Sequence, residues 1–230
     1  SSDVMRLMGV NAIYITHDGG HNWDLLSDPA VEYTKLYMYL NDGSYGAKVV
    51  AVGEGGIVHR VIMENGTPFG IVELNSPTSA NLTSCWGEEI SGDLWLVVAS
   101  STGNLYATNN GDDITATWNT FTPPLLSGTN AKAIEAKKVG TTGNAISGSV
   151  ITATGNIYAL FKADASTTFT VTTLSVTGVN MADLTIDTTS NRIFAFDNIS
   201  KRAYKIQLNS GAPAATANIL IATNTIAQAN

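Results

Sequence analysis

The carboxylates of this 230-residue chain are the side chains that could carry acid–base chemistry. Hydrolysis of a glycosidic bond needs two carboxyl groups roughly 5 to 9.5 Å apart, one to protonate the leaving oxygen and one to attack or to activate water. Four acidic residues that fall in or beside predicted strands are candidates for such a pair: Glu32, Glu54, Glu135 and Asp183. They come from separate stretches of sequence, so the fold would have to bring two of them together.

Metal sites have less support. Asp18, Asp112 and Asp113 could supply oxygen ligands to Ca²⁺, but such sites need several converging oxygens. His17 and His21 flank one turn, and no thiolate or third ligand nearby completes a zinc set. We therefore expect no metal and no cofactor.

Charge and composition exclude other classes of function. The net charge is −7, and the twelve Lys and Arg residues are scattered, so a nucleic-acid partner is not expected. No apolar run approaches the ~20 residues of a membrane-spanning helix, which predicts no membrane insertion.

The single cysteine, Cys85, excludes an intrachain disulfide, and its apolar setting is typical of an unreactive core thiol. The chain begins with Ser1 rather than Met, which indicates processing or excision from a longer protein.

A hairpin unit recurs five times along the chain. Each copy has a short apolar strand, a turn rich in Gly, Asn or Ser, and a second strand that carries a ring side chain. The ring position holds Tyr14, His59, Tyr106, Tyr158 and Tyr204. These rings are 45, 47, 52 and 46 residues apart. Units of roughly 40 to 50 residues with four strands are typical of β-propeller blades.

Flanking strands complete each unit. Outer strands are predicted at 24–26, 70–74, 120–121, 169–172 and 219–221, and inner strands at 35–40, 82–86, 132–136 and 183–186. Only four inner strands precede five hairpins, so we predict that residues 225–228 supply the fifth and close the ring. The sequence thus predicts one all-β domain over 1–230, a five-bladed propeller of four-stranded antiparallel blades. The blades are expected at 1–27 plus 225–230, 31–75, 81–123, 131–175 and 181–222.

One turn carries a recognisable motif. Thr16, Asp18, Gly20 and Trp23 stand at the spacing Ser/Thr-x-Asp-x-Gly-x-Thr-Trp, with Asn22 in place of the second Thr. This pattern resembles the repeat of the Asp-box (BNR-type) β-propeller superfamily. The resemblance implies a structural role, in which the aspartate binds turn N–H groups, the glycine permits a positive φ and the tryptophan packs between sheets.

Two partial copies extend the resemblance. One keeps the spacing with Phe for Trp and comprises Lys162, Asp164, Ser166, Thr168 and Phe169; the other runs from Thr108 through Asn110 and Gly111 to Trp118 after an insertion. Both are expected to lock turns between third and outer strands, on the face opposite the propeller's binding rim.

Many Asp-box proteins are sialidases, which resemble one another in three carboxylate-binding arginines and an Arg-Ile-Pro motif. Here the four arginines, Arg6, Arg60, Arg192 and Arg202, lie in or beside second and third strands, and no Arg-Ile-Pro occurs. Bidentate recognition of a sugar carboxylate has no evident source. We therefore expect a protein without sialidase activity and without catalytic residues; if it is an enzyme, a glycoside hydrolase is the class that remains open.

The resemblance to Asp-box propellers implies that the binding face lies at the rim formed by the outer-to-inner loops and the hairpin turns. Six rim residues are the candidates for contact with a partner or ligand: Glu32, Tyr33, Lys35, Glu54, Lys132 and Asp183. We predict a structural or protein-interaction module, whose partner is a protein in a larger assembly or a surface glycan. The alternatives are a lectin-like propeller and a glycoside hydrolase.

Two further resemblances bear on location and partner. The low charge and the Thr/Asn/Gly-rich strands are similar to domains of phage or other virion surface proteins and of secreted bacterial proteins, which predicts a virion or extracellular surface. The turn Val52-Gly53-Glu54-Gly55-Gly56 resembles turns in propellers of the photosystem assembly-factor type, which bind protein partners.

Overall fold

The structure, a computed structural model, describes residues 5–9, 12–16, 20–25, 31–40, 47–64, 67–121, 129–139, 143–174, 181–187, 189, 191–197, 203–208 and 219–222. These residues form β-strands, turns and one short 3-10 helix. Among them no helix is long and apolar enough to cross a membrane. The chain divides into two compact units, Ser1–Thr122 and Pro123–Asn230.

The first unit contains three antiparallel sheets. Sheet 1 has three strands, β1 (Met5–Gly9), β2 (Ala12–Thr16) and β3 (Asp24–Leu25). Sheet 2 comprises β4 (Tyr33–Leu40), β5 (Ala47–Gly53), β6 (Val58–Glu64) and β7 (Thr67–Glu73). Sheet 3 comprises β8 (Leu82–Ile90), β9 (Asp93–Ser100), β10 (Leu105–Thr108) and β11 (Asn119–Phe121). Each four-stranded sheet is a meander in chain order.

The second unit contains two four-stranded antiparallel sheets of the same kind. Sheet 4 comprises β12 (Ala131–Lys138), β13 (Ile146–Thr152), β14 (Ile157–Lys162) and β15 (Thr170–Thr173). Sheet 5 comprises β16 (Met181–Asp187), β17 (Arg192–Asp197), β18 (Ala203–Gln207) and β19 (Ile219–Ala222).

The all-β class and the repeated four-stranded antiparallel unit are confirmed. All five predicted hairpins form, and the five ring residues lie on the strand after the hairpin turn in each sheet. Sheet 1 shows three strands in the described part of the chain, with β1 at its edge. The proposed closing segment, 225–228, lies outside the described residues, so its role stays a prediction.

Apolar strands pack sheet against sheet inside each unit. In the first unit, Val50 and Val52 of sheet 2 pack with Leu96 and Val98 of sheet 3, and Cys85 is buried in the same cluster. Strands β9 and β14 are buried along nearly their whole length, because central strands have a packed layer on both faces. The free thiol therefore lies in the core, where the sequence placed it.

A second cluster joins the two sheets of the other unit. Ile151 and Ile157 of sheet 4 pack with Leu184 and Ile193 of sheet 5. Full burial of each such side chain contributes roughly 1.5–3 kcal/mol. These side chains hold sheet 4 against sheet 5.

The buried hydroxyls of β13 give a test of this packing. Ser147 and Ser149 are fully buried, and their Oγ atoms have no hydrogen-bond partner among the described residues. We expect Ser149→Ala to be neutral or to raise the free energy of unfolding by about 1 kcal/mol, because it removes an unsatisfied buried group. Urea denaturation measures the change. The matched control on the same strand is Thr152→Val, which removes a hydroxyl bonded within its turn and should destabilise by about 1 kcal/mol. Destabilisation by Ser149→Ala as large as that of the control would contradict the assignment.

Candidate functional site

The four inner strands β4, β8, β12 and β16 share an irregularity at the end where the chain enters them. Their pairing with the next strand slips by one residue, leaving a bulge at Thr34, Thr83, Lys132 and Ala182. A β-bulge bends its strand and re-aims nearby side chains, and bulges are common beside functional sites. Lys132 is itself a bulge residue, and Lys35 and Asp183 directly follow one.

The hairpin turn of three sheets binds the residue that precedes the inner strand of the same sheet. The N–H of Glu54 donates to the Glu32 carbonyl at 3.0 Å in sheet 2. The same bond runs from Ser101 to Asn81 at 2.7 Å in sheet 3, and from Ala153 to Asn130 at 2.8 Å in sheet 4. In each of these sheets the turn and the inner-strand entrance form one hydrogen-bonded end, which we call the rim of that sheet.

Two rims use the same turn. Ser100–Asn104 and Thr152–Asn156 each end in Thr-Gly-Asn, and Gly103 and Gly155 take positive φ values of 86° and 82°. In both turns the first hydroxyl contacts the threonine hydroxyl at 2.8 Å, and the glycine N–H donates to the first residue's carbonyl at 3.0 and 2.9 Å. The sequence contains this repeat, but only the hydrogen bonds show that it builds one conformation twice.

The turn of sheet 2 is built from glycine. A Cβ on Gly53 would overlap the Glu32 carbonyl, and one on Gly56 would overlap the Thr78 carbonyl. Gly55 and Gly56 also require positive φ, 65° and 81°, which favours glycine. These close approaches fix the short 3-10 turn Glu54–Gly56 against the entrance of β4.

Asn81 joins this turn to the next sheet. Its Oδ1 accepts the N–H of Gly55 at 3.0 Å, and its Nδ2 lies 3.5 Å from Glu54 Oε1. A corresponding link in the second unit runs from the N–H of Met181 to the Gly155 carbonyl at 3.1 Å. The role of Asn81 could not be predicted from its neighbouring residues, which form no motif. The available signal was its position directly before an inner strand.

The six candidate rim residues fall into two sets. In the first unit, Glu32 and Glu54 are exposed and linked through their backbones, and Lys35 is half-buried. In the second unit, Lys132 and Asp183 are exposed at the equivalent ends of sheets 4 and 5. The contact role assigned to these residues stays a prediction. Glu135, the fourth acidic candidate, is half-buried within β12.

Tyr33 differs from the other candidates because it is buried, with 4% of its surface exposed. Its hydroxyl lies 2.7 Å from His59 Nδ1, and the two rings meet edge to face at 5.6 Å. His59 Nε2 in turn lies 4.0 Å from the exposed Glu73 carboxylate. A hydroxyl, an imidazole and a carboxylate in series could relay a proton, but a buried hydroxyl offers no access to substrate. This series therefore fits a structural link among β4, β6 and β7.

The turn at Thr16–Trp23 is partly described. Thr16 Oγ1 accepts the N–H of Gly20 at 2.9 Å, and Gly20 has a φ of 93°, as the motif requires. Trp23 is 38% exposed and donates its indole N–H to the Gly20 carbonyl at 3.1 Å. Its expected position between sheets is therefore wrong: the ring covers its own turn, because the indole is hydrogen-bonded there. Asp18 lies outside the described residues.

The partial copies hold their turns by different means. Phe169 is buried, Trp118 donates to the Asn75 carbonyl at 2.7 Å, and the Asp164 carboxylate accepts the N–H of Asn144. Lys162, 1% exposed, replaces the motif's hydroxyl and donates to two turn carbonyls at 3.1 Å. Burial lowers the pKa of Lys162, and nearby Asp164 opposes this shift.

Within the described ranges, no three or more His, Cys, Asp and Glu side chains are grouped to hold a metal ion. The geometry thus shows recurrent rims of backbone hydrogen bonds, with exposed polar side chains above them. The same arrangement recurs in sheets 2, 3 and 4.

Comparison with known proteins bears on the fold. No family model and no curated protein matches the chain. Solved structures do match, and they are β-propeller proteins. YCF48 from Cyanidioschyzon merolae has 13% identity and a TM-score of 0.55, over 91% of this chain and 64% of that one. BBS1N, in a complex with ARL6DN, has 13% identity and a TM-score of 0.53, over 89% and 58%. YCF48 bound to D1 peptide has 16% identity and a TM-score of 0.51, over 85% and 58%.

These likenesses support a β-propeller fold for the chain. The chain spans less than two thirds of the length of each of these structures. At 13–16% identity they bear on the fold alone, so the activity and partners of this chain have to be argued from its own residues.

The inserted turn of sheet 3 predicts a pH dependence. The Asp113 carboxylate accepts the N–H and the hydroxyl of Thr115, both at 2.8 Å, and these bonds lower the pKa of Asp113 below 3.8. A lowered folded-state pKa stabilises the fold above about pH 3.8, and the contribution is lost as pH falls through the lowered value. We expect Asp113→Asn to lower Tm at pH 6, with the difference from the unmodified chain shrinking as pH falls through the lowered pKa of Asp113. Thermal unfolding across pH measures it. Asp112→Asn is the control, and an equal, pH-independent loss in both variants would contradict the prediction.

Proposed function

We propose that this chain is a five-bladed β-propeller that acts as a non-catalytic protein-interaction module and binds its partner through the rims. The observation that carries the proposal is the repeated bond between the hairpin turn and the bulged entrance of the inner strand. It recurs in sheets 2, 3 and 4 with N–O distances of 2.7–3.0 Å. A scaffold that holds its loops in place pays less ordering entropy when a partner binds.

The exposed side chains on the rims suit recognition of a polypeptide. Glu32, Glu54 and Lys132 are exposed charges of the rims, Asp183 is exposed at the equivalent end of sheet 5, and Asn81 supplies an amide next to Glu54. Charges of both signs favour a partner with complementary polar groups, since electrostatic complementarity sets specificity and association rate. The structural neighbours add support, because YCF48 has been solved with D1 peptide and BBS1N with ARL6DN.

We further propose that the module belongs to a virion or extracellular surface assembly and that it is an Asp-box propeller. Support comes from the low charged fraction of 13% and from the turn geometry of Thr16 and Gly20. Glycan binding or hydrolysis is a second candidate, favoured by the backbone bond that brings Glu32 and Glu54 to one rim. Turnover of a glycan panel that is lost in Glu54→Gln would establish hydrolysis and replace the main proposal.

The interaction role can be tested with a phage-displayed library of random dodecapeptides panned on the folded chain. We expect one set of the enriched peptides to lose at least tenfold in affinity, by fluorescence anisotropy, for the rim double variant Glu54→Ala/Lys132→Ala. The exposed, off-rim variant Asp24→Asn is the matched control and should bind as the unmodified chain does. If every enriched peptide binds all three proteins equally, the rims are not the binding surface.

Closure of the ring gives a separate prediction. Deleting residues 225–230 should leave β1 with an unpaired edge and lower the free energy of unfolding by about 2 kcal/mol, which shifts Tm by roughly 4 to 8 °C. A variant with those six residues replaced by a Gly/Ser sequence should lose as much, because it keeps length without a strand-forming sequence. An unchanged Tm in the truncated chain, measured by calorimetry, would rule out the closing strand.

A further inference from the structure

The connection between β10 and β11 lies at the end of sheet 3 opposite its rim and is longer than its counterparts. Eleven residues run from Thr108 to Trp118, whereas eight run from Thr16 to Trp23 and eight from Lys162 to Phe169. The three additional residues fall around 112–115, so this segment is not needed for the turn itself. We call residues 109–118 the Ile114 loop.

Hydrogen bonds within the Ile114 loop and to β9 fix its conformation. The N–H of Gly111 donates to the Leu94 carbonyl at 3.0 Å, and that of Thr117 donates to Asn110 Oδ1 at 3.1 Å. Asp113 receives the N–H of Thr115 at 2.8 Å, and its carbonyl accepts the N–H of Ala116 at 3.1 Å. Both arms of the loop and its tip are therefore held.

The Ile114 loop is also attached to sheet 2 within the same unit. The N–H of Asn75 donates to the Ile114 carbonyl at 3.0 Å, and Trp118 Nε1 donates to the Asn75 carbonyl at 2.7 Å. Arg60 Nη2 donates to the Asp112 carbonyl at 2.8 Å. The loop is thus bonded through the carbonyls of Asp112 and Ile114 and through the Trp118 indole to β6 and to Asn75, which follows β7.

The side chain that this framework presents is apolar and faces solvent. Ile114 is 58% exposed, more than the other exposed large apolar side chains of the described residues, Trp23, Leu25 and Phe196. A lone exposed apolar residue is common on protein surfaces. What distinguishes Ile114 is that it lies on an insertion held by one bond to β6 and two bonds to Asn75, which follows β7, and a rigid apolar anchor binds at low entropic cost.

The charges around the anchor indicate the kind of partner. Asp112 and Asp113 precede Ile114 and are exposed, and Asp93 is exposed next to Leu94, to which the loop is bonded. Arg60 uses Nη2 on a carbonyl of the loop rather than on these carboxylates. An acidic border repels a second copy of a chain with net charge −7, and it repels nucleic acid and anionic lipid as well. A basic polypeptide is the complementary occupant.

We propose that the Ile114 loop is a docking site for a basic segment of a partner protein, in which a large apolar side chain flanked by Lys or Arg packs on Ile114. This surface is separate from the rims and is independent of whether they bind a partner. Two surfaces at opposite ends of one sheet would let the chain join two partners.

Dodecapeptides panned on the chain and re-synthesised test the proposal by fluorescence anisotropy. We expect one set of these peptides to combine Lys or Arg with a large apolar residue. These peptides should bind at least tenfold more weakly to Ile114→Ser, and their affinity for the unmodified chain should fall as the salt concentration rises. Asp112→Asn should lower its affinity severalfold without altering the loop, since only the backbone carbonyl of Asp112 makes the bond to Arg60.

The matched control is Leu25→Ser, because Leu25 is 52% exposed and lies outside the loop. The control and the rim variant Glu54→Ala/Lys132→Ala should leave this set unchanged. Peptides sensitive only to the rim variant would support the rims and overturn the Ile114 site. Insensitivity of all peptides to Ile114→Ser, or acidic peptides among those that depend on Ile114, would also overturn it. Dimerisation in sedimentation velocity that Ile114→Ser abolishes would assign the surface to a second copy instead.

Discussion

The bond between the N–H of the hairpin turn and the carbonyl before the inner strand is the constraint on which the rims of sheets 2, 3 and 4 depend. Strand pairing leaves the end residues of an antiparallel sheet with unpaired backbone groups, and these must find partners. In sheets 2, 3 and 4 the entrance of the inner strand supplies them. The bulge of β4, β8 and β12 follows immediately, and β16 has a bulge at the equivalent position, so the inner strand of each of these four sheets enters through a bend.

Much of this architecture could be predicted from the sequence, because local patterns encode it. Apolar strands separated by Gly, Asn or Ser turns gave all five hairpins, and the spacing of the rings gave the repeat. The burial of Cys85 also followed from its apolar neighbours. The bulges could not be predicted from the sequence. One extra residue such as Thr34 or Lys132 changes the strand register, but no particular residue type marks it.

The candidate site was predictable only in part, and for physical reasons. Glu32 and Glu54 could be assigned to one rim because the topology places the start of β4 beside the turn after β5. The burial of Tyr33 depends on a contact with His59, 26 positions away, and alternation along the strand does not report it. Trp23 was misplaced because a motif gives residue types, whereas the side chain's direction depends on a bond to Gly20.

The link through Asn81 has a mechanical consequence. Its amide holds the Gly55 N–H of one sheet, while its own carbonyl holds the Ser101 N–H of the next. Displacement of the turn of sheet 2 is therefore resisted by the turn of sheet 3 through Asn81, alongside the bond from the Thr34 hydroxyl to the Leu82 carbonyl. In the second unit the turn of sheet 4 is tied to β16 through the Gly155 carbonyl. Within each unit a displaced turn therefore pulls on the entrance of the next inner strand, so that neighbouring turns resist displacement together.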